Sequence, residues 1–396
     1  MPLGFPGKRR ARPPRLPQSK PLRGHHRVVV AGGGVHGLAA AHALIAREGI
    51  HDVAVLESGW LGRGSATRAA PVLAGGDADP AVARLTAESQ ALAPELARQL
   101  STDIGAARVG QLTLAHSEAE RETLTERARL ARRNSLDAQV RDPAALRRQW
   151  PRLGLGGDNR WPVLAGLHLP RAHRINGDAL AWGYAHAIAA RGGAVHQHTP
   201  VSGLRRHGGA VAGVHTPHGE VSADAVLLAG DDTALGLAPE AGVSLPAATG
   251  WLRAAVTEPA PNAGVPPVDA PGLGARVVQL PDGELLVALR PAGRTLAPLA
   301  DGAAAAHALM GVLPGAARLN LLRQWDGSAL RPHDGRPLAG PSGVPGLWLS
   351  AGWGDAAVRA APACGRALAR ALARDTVPDA LAPVRPDRHP VPEGVA

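Results

Sequence analysis

Val28-Val29-Val30-Ala31-Gly32-Gly33-Gly34-Val35-His36-Gly37 is the stretch that decides the fold. Its first four residues are short, apolar and mostly β-branched, as in a strand buried on both faces. The glycine run follows without a break, and the alanine-rich segment from Leu38 to Arg47 then reads as a helix. After Gly49 a second apolar strand, Val53-Ala54-Val55-Leu56, ends on Glu57, twenty positions beyond Gly37. The order is strand, G-x-G-x-x-G, helix, strand, acid. In that frame Gly32 permits the tight turn, Gly34 lets a pyrophosphate approach the backbone, and Gly37 lets helix and strand pack closely. The helix N-terminus offers free N–H groups and a positive dipole end to phosphates, and Glu57 can hold ribose hydroxyls. With 49 glycines in 396 residues a chance match is easy, so the surrounding frame carries the dinucleotide reading.

The length suits two domains or one large interleaved unit. A hydrophobic fraction of 45% is ordinary for a packed chain, but one Phe, one Tyr and two Met leave the eight Trp to supply the aromatic stacking. The single cysteine, Cys364, excludes an internal disulfide framework and a multi-cysteine zinc site. The seventeen histidines form no H-x-x-x-H pair with an acidic base, so no metal is expected. No apolar run reaches the ~18 residues of a membrane span, which predicts a soluble, cytoplasmic chain. The formal net charge is +10, but residues 1–26 hold Lys8, Arg9, Arg10, Arg12, Arg15, Lys20 and Arg23 without an acid. That segment reads as a disordered basic tail, and the +3 left on the remainder makes no case for a nucleic-acid partner.

Beyond Glu57, the loop from Ser58 through Arg63, Gly64 and Ser65 to Arg68 is rich in small residues and carries two arginines. Next to a pyrophosphate site such a loop supplies backbone donors and cations; elsewhere it is a surface turn. Helical spacing recurs over Pro80–Leu100, Ser117–Arg133, Gly177–Arg191, Asp301–Leu313 and Ala356–Ala373. Alternation predicts strands at 110–115, 194–198, 251–257, 275–280 and 284–289, a hairpin over 210–222, and a separate buried strand over 223–230.

Gln111 to His116, Asp178-Ala179-Leu180-Ala181-Trp182-Gly183-Tyr184, Trp325 to Pro337, and Gly352-Trp353-Gly354 to Pro362 then follow in a familiar order. From residue 28 to residue 385 the chain resembles the FAD-dependent amine and amino-acid oxidoreductases of the D-amino-acid-oxidase type. Among these it resembles the beta subunits of heterotetrameric sarcosine oxidase. The resemblance implies an α/β fold: a Rossmann-like FAD-binding domain (27–110, 165–240 and 325–376) interleaved with an antiparallel-sheet substrate domain (111–164 and 241–324). Residues 377–396 are read as a proline-rich tail.

The resemblance further implies non-covalent FAD and oxidation of a secondary or N-methyl amine or amino acid, the flavin accepting a hydride equivalent from the C–N bond. It implies partner subunits of a hetero-oligomer; the alternative is an FAD-retaining non-catalytic or electron-transfer subunit. Carried over residue by residue, Gly32, Gly34, Val35, His36, Gly37, Glu57, Ser58, Arg63, Gly64, Ser65 and Arg68 lie along the ADP. Val201 meets the adenine, Ala229 and Gly230 make a second cofactor contact, and Gly352, Trp353, Gly354 and Ala357 flank the flavin ring. Three departures stand out. The histidine that bears covalent FMN in the resembled subunit falls at Gly177, which has no side chain, so covalent FMN is not expected. The lysine after the C-terminal turn becomes Arg359, the catalytic candidate, which keeps the cation but does not shed its proton. An arginine expected after Arg68 is Ala74.

Overall fold

The computed structural model describes residues 20–64, 71–100, 102–155, 160–290 and 298–388. β1 (His25–Ala31) runs through the glycine loop into α1 (Val35–Glu48), and β2 (Val53–Leu56) returns beside it. The chain leaves this unit through β3 (Val72–Leu73), α2 (Pro80–Gln99), β4 (Ala107–Arg108), β5 (Gln111–Ala115), α3 (Glu118–Arg133), β6 (Gln139–Arg141) and α4 (Pro143–Gln149). It comes back by β7 (Ala165–Leu169), β8 (His173–Arg174), α5 (Gly177–Ala190) and β9 (Ala194–His196). β10 (Gly203–His207), β11 (Ala210–Thr216), β12 (Gly219–Ala229) and α6 (Asp231–Leu237) follow. A second excursion comprises β13 (Ala247–Pro259), β14 (Val268–Ala270), β15 (Ala275–Gln279), β16 (Glu284–Leu289), α7 (Pro298–Val312) and β17 (Leu321–Pro332). β18 (Leu338–Pro341), β19 (Leu347–Ala351) and α8 (Ala357–Arg374) close the chain.

Two eight-stranded sheets result. In the first, β12, β1, β2 and β9 lie side by side and parallel, and β19 joins β12 in parallel through Val226–Ala229. β12 is one long strand whose start pairs with β11 and whose end pairs with β19, so 219–222 and 223–229 are continuous, not separate as the sequence suggested. Val28–Ala31 and Val53–Leu56 are buried because helices cover one face and a second apolar cluster covers the other. The second sheet runs β17-β13-β16-β15-β14-β5-β7-β6. Its pairs are antiparallel except β14 with β5, so it is mixed where a purely antiparallel sheet was expected. Ala165–Leu169 and residues 325–332 of β17 belong to this sheet, although the sequence places them in segments of the nucleotide domain. A pattern of alternation marks a strand but not which sheet accepts it.

The chain ends also differ from their sequence reading. β1 begins at His25, inside the segment read as tail, and residues 1–19 lie outside the described residues. Leu381 and Val384 are buried in the core beside α8, so the part of the proline-rich tail up to Arg388 packs onto the fold. Among the described residues no helix is long and apolar enough to cross a membrane.

Candidate functional site

Helix starts distinguish the site from the scaffold. α2, α3, α4 and α5 begin on Asp79, Ser117, Asp142 and Asn176, whose side chains accept hydrogen bonds from first-turn N–H groups. α1 begins on Gly34 and α8 on Ala356, with no capping side chain and no acid in the first turn. Among the described residues no side chain takes the first N–H groups of α1, whereas at α8 a preceding 3₁₀ turn, 354–356, already engages two: Ala356 N–H donates to Trp353 O and Ala357 N–H to Gly354 O.

At the α1 end, Gly32 has φ +117°, and a β-carbon there would overlap the Ala229 carbonyl. One at Gly37 would overlap the Gly32 carbonyl, whereas one at Gly34 would meet nothing within 4 Å. The loop is therefore closed toward the sheet and open at Gly34, the cradle a diphosphate needs. Glu57 is braced by its neighbours: Gly33 N–H donates to Oε2 at 2.8 Å and Gly59 N–H to Oε1 at 2.8 Å. Ser58 Oγ–H adds a donor to Oε1 at 3.2 Å. Thr199 N–H donates to the Glu57 carbonyl, and Val201, half-buried, follows two residues later. Ala229 and Gly230 sit at the end of β12 beside Gly32, and Gly230 N–H donates to Ser350 O. Arg63 and Gly64 are exposed at the loop's end; Ser65 and Arg68 lie outside the described residues. Residues 32–37, 57–64, 201 and 229–230 thus gather at the carboxyl ends of β1, β2 and β12, where open parallel sheets bind nucleotides.

At the α8 end, Gly352 takes φ +73° between β19 and the helix, and its N–H donates to Asp231 Oδ1 at 2.8 Å. The other oxygen of Asp231 accepts from Leu330 N–H at 2.8 Å, so one carboxylate ties α6, β17 and the turn together. Burial raises the pKa of Asp231, opposed by these two backbone donors. Trp353 is buried, and its ring stacks on His36 at 4.7 Å and 19°. Ala357 opens α8 and is buried too. A helix start without a capping side chain favours a partner that gathers negative charge.

Arg359, one turn further on, is 2% exposed. Its Nη1 lies 2.8 Å from Asp77 and its Nη2 3.6 Å from Asp355. Asp355 also meets Arg276 at 3.3 Å, Arg276 meets Asp269 at 3.6 Å, and Arg290 grips Asp269 at 2.8 and 3.0 Å. Arg127 of α3 lies 3.9 Å from Asp269 and donates to Gly76 O at 2.6 Å. Among the described residues, four guanidiniums thus share three carboxylates. Burial works against the charge on Asp269, but Arg276, Arg290 and Arg127 outweigh it and hold the carboxyl well below the usual range. Burial also opposes the charge on Arg359, but Asp77 and Asp355 raise its pKa still higher, so it cannot serve as a base. A cavity of about 220 Å³ borders this network between α3 and β5, with Thr113, Glu120, Thr123, Arg127 and Arg290 in its wall.

Apart from Arg359, none of these charged partners was singled out from the sequence; Asp269 and Arg276 are charges inside short apolar strands, which is the one local sign they leave. Gly177 is the buried first residue of α5 and offers no side-chain atom. Ala74 is fully buried in the apolar cluster under α3, where an arginine would displace packed side chains.

The family model of FAD dependent oxidoreductases matches residues 27–371. Sarcosine oxidase subunit beta of Rhizobium meliloti (strain 1021) is 31% identical over 390 residues, 94% of this chain and 90% of that one. Sarcosine oxidase subunit beta of Rhodobacter capsulatus is 30% identical over 357 residues, 89% and 86% of the two chains. Among solved structures, L-proline dehydrogenase from P. horikoshii matches with a TM-score of 0.83 at 21% identity, covering 93% of this chain and 98% of that one, a likeness in fold. The chain belongs to the family of FAD-dependent oxidoreductases.

Proposed function

We propose that the chain binds FAD without a covalent bond and oxidises a small secondary or N-methyl amine or amino acid at its C–N bond. The observation that carries the reading is the pair of uncapped helix starts, α1 and α8, brought together at the His36–Trp353 stack. Bound FAD supplies the two-electron acceptor for the C–N oxidation. Gly34, Val35 and the loop to Gly64 would hold the diphosphate, Glu57 the ribose, and Val201 the adenine; the turn 352–357 would flank the ring. At Gly177 there is no atom to bond a flavin.

The arginine network orients the substrate. Four guanidiniums against three carboxylates leave one positive charge in excess, which attracts an anionic group. Arg359 retains its proton throughout, so its part is electrostatic: it holds positive charge at the first turn of α8. Relatives of this chain carry the name subunit beta, which supports a place in a hetero-oligomer with other subunits. The same name supports a second reading, an FAD-retaining subunit that passes electrons onward without meeting the amine itself.

One experiment separates them. The purified chain is expected to show flavin absorption, with the flavin entirely in the supernatant after acid precipitation. Anaerobic sarcosine, L-proline or glycine should then bleach it. Flavin that stays with the precipitate overturns the non-covalent reading. Bound flavin that no amine or amino acid reduces leaves the second reading in place of the first.

A further inference from the structure

His36 is the one polar side chain inside the glycine motif, and it does not face the cradle. Its ring is buried, and both nitrogens are engaged by the other end of the site. Ala357 O lies 2.9 Å from Nε2; a carbonyl can only accept, so Nε2 carries the proton and donates. Nδ1 is then an acceptor and takes the Ser350 hydroxyl proton at 3.2 Å. Ser350 Oγ in turn accepts from Trp353 Nε1–H at 3.1 Å. Ser350 also meets the buried Cys364 thiol, and one histidine tautomer satisfies the run from Trp353 to Ala357. Burial pushes the imidazole pKa down to about 3, opposed only by the bond to Ala357, so the ring stays neutral over the working range.

The partners have a pattern. Ser350 is the last residue but one of β19, Ala357 begins α8, and Trp353 lies between them, stacked on the imidazole. A single side chain from the first turn of α1 therefore grips both ends and the middle of the turn 351–356. An apolar residue would fill the space but leave the Ser350 hydroxyl without its acceptor, and the Ala357 carbonyl with only its partner inside α8. Behind the contact, the helices pack closely at Gly365, where a β-carbon would lie 2.6 Å from the Ala39 backbone.

We infer that His36 is a positioning residue that fixes the proposed flavin-facing turn of α8 to the proposed pyrophosphate-facing turn of α1. The inference rests on the FAD reading above. It assigns to His36 an action through Ser350 and Ala357 on the ring end, in place of side-chain contact with the diphosphate.

The test uses two variants that divide the histidine's properties. His36→Phe keeps a flat ring for Trp353 but removes both hydrogen bonds. His36→Gln loses the ring but offers an amide N–H to Ala357 and an amide oxygen to Ser350. FAD affinity of the apoprotein is measured by flavin fluorescence quenching, and the flavin midpoint potential by dye equilibration. His36→Phe should bind FAD about tenfold more weakly. It should also hold reduced flavin about tenfold less well relative to oxidised, a fall of about 30 mV for a two-electron couple. His36→Gln should lie within about threefold of the native protein on both readouts. Native values in the Phe variant, or equal loss in both variants, overturn the inference. Should the Phe protein fail to fold, Ser350→Ala takes its place. It keeps the stack and the bond to Ala357, and it should lower the potential in the same direction by a smaller step. No change there overturns the inference as well. Apoprotein of native sequence that takes up no FAD refutes the FAD reading itself, which distinguishes the two failures.

Discussion

The glycine loop after β1 and the arginine–aspartate network around α8 prepare for negative charge by opposite means. The loop does it with backbone alone: uncapped N–H groups, open space at Gly34, and one braced acid, Glu57. All of its parts lie within 31 consecutive residues, from Arg27 to Glu57. The network does it with seven charged side chains from distant segments, Asp77, Arg127, Asp269, Arg276, Arg290, Asp355 and Arg359. Backbone donors come with the helix and resist substitution, because only the glycines can be spoiled. Buried side-chain charges depend on one another, so each is a separate point of failure. The loop should therefore break by steric overlap and the network by loss of a partner.

The largest effect is expected at Gly32. Gly32→Ala would place a methyl into the Ala229 carbonyl at a φ of +117°, combining backbone strain with overpacking. Together these cost about 4 kcal/mol. Urea denaturation of the apoprotein should show that loss, and flavin should be absent from the purified variant. A midpoint within experimental error of native would mean that β1 and β12 are not held as closely as described.

Arg359→Met comes next. It leaves Asp77, mostly buried, and Asp355 without their shared cation, which should destabilise by about 3 kcal/mol. Arg359→Lys should recover part of that but not all, since an ammonium cannot span two carboxylates as the planar fork does. Differential scanning calorimetry of the three proteins orders them; Met equal to native would separate Arg359 from the network.

The same contrast explains what could be read from the sequence. The glycine frame was legible because each of its parts is local: β-branched strand, required glycines, helical spacing, terminal acid. Its steric consequences followed at Gly32 and Gly37. The network was not legible, because alternation in Val268-Asp269-Ala270 and Ala275-Arg276-Val277 says which residues share a face and nothing about what covers that face. Here one face holds the apolar cluster under α7, and the other meets α8 and the loop bearing Asp77. Sheet membership was not legible for a related reason: β7 and β17 are good strands in either sheet, and only long-range pairing chooses. His36 was legible as a motif position but not as a link, since its partners are more than 300 residues away.

Acid should expose the network and spare the loop. Asp269 and Asp355 have native pKa values lowered by their arginines, against the opposing pull of burial. A lowered native value stabilises the fold above the unfolded pKa of about 3.9 and loses that contribution as pH falls through the native value. Asp269→Asn should therefore cost about 2 kcal/mol, constant from pH 5 to 8, with the gap to native closing below about pH 4. Denaturation midpoints at four pH values check it. A gap that widens on acidification would have the wrong sign for a charge held by arginines.

The smallest effect is expected at Glu57. Glu57→Gln keeps an amide oxygen for one of the two backbone donors, Gly33 N–H or Gly59 N–H, and sets its amide N–H group against the other, so the loop should fold with little change at this half-exposed position. What it loses is negative charge and one charge-assisted bond to a ribose hydroxyl, worth about 1 kcal/mol at a half-exposed position. FAD binding by the apoprotein should weaken about fivefold, with the denaturation midpoint of the apoprotein unmoved. If stability falls and affinity does not, Glu57 serves to brace Gly33 and Gly59, and the ribose is held elsewhere. That outcome would make the loop resemble the network after all, a place where one side chain holds the others in position.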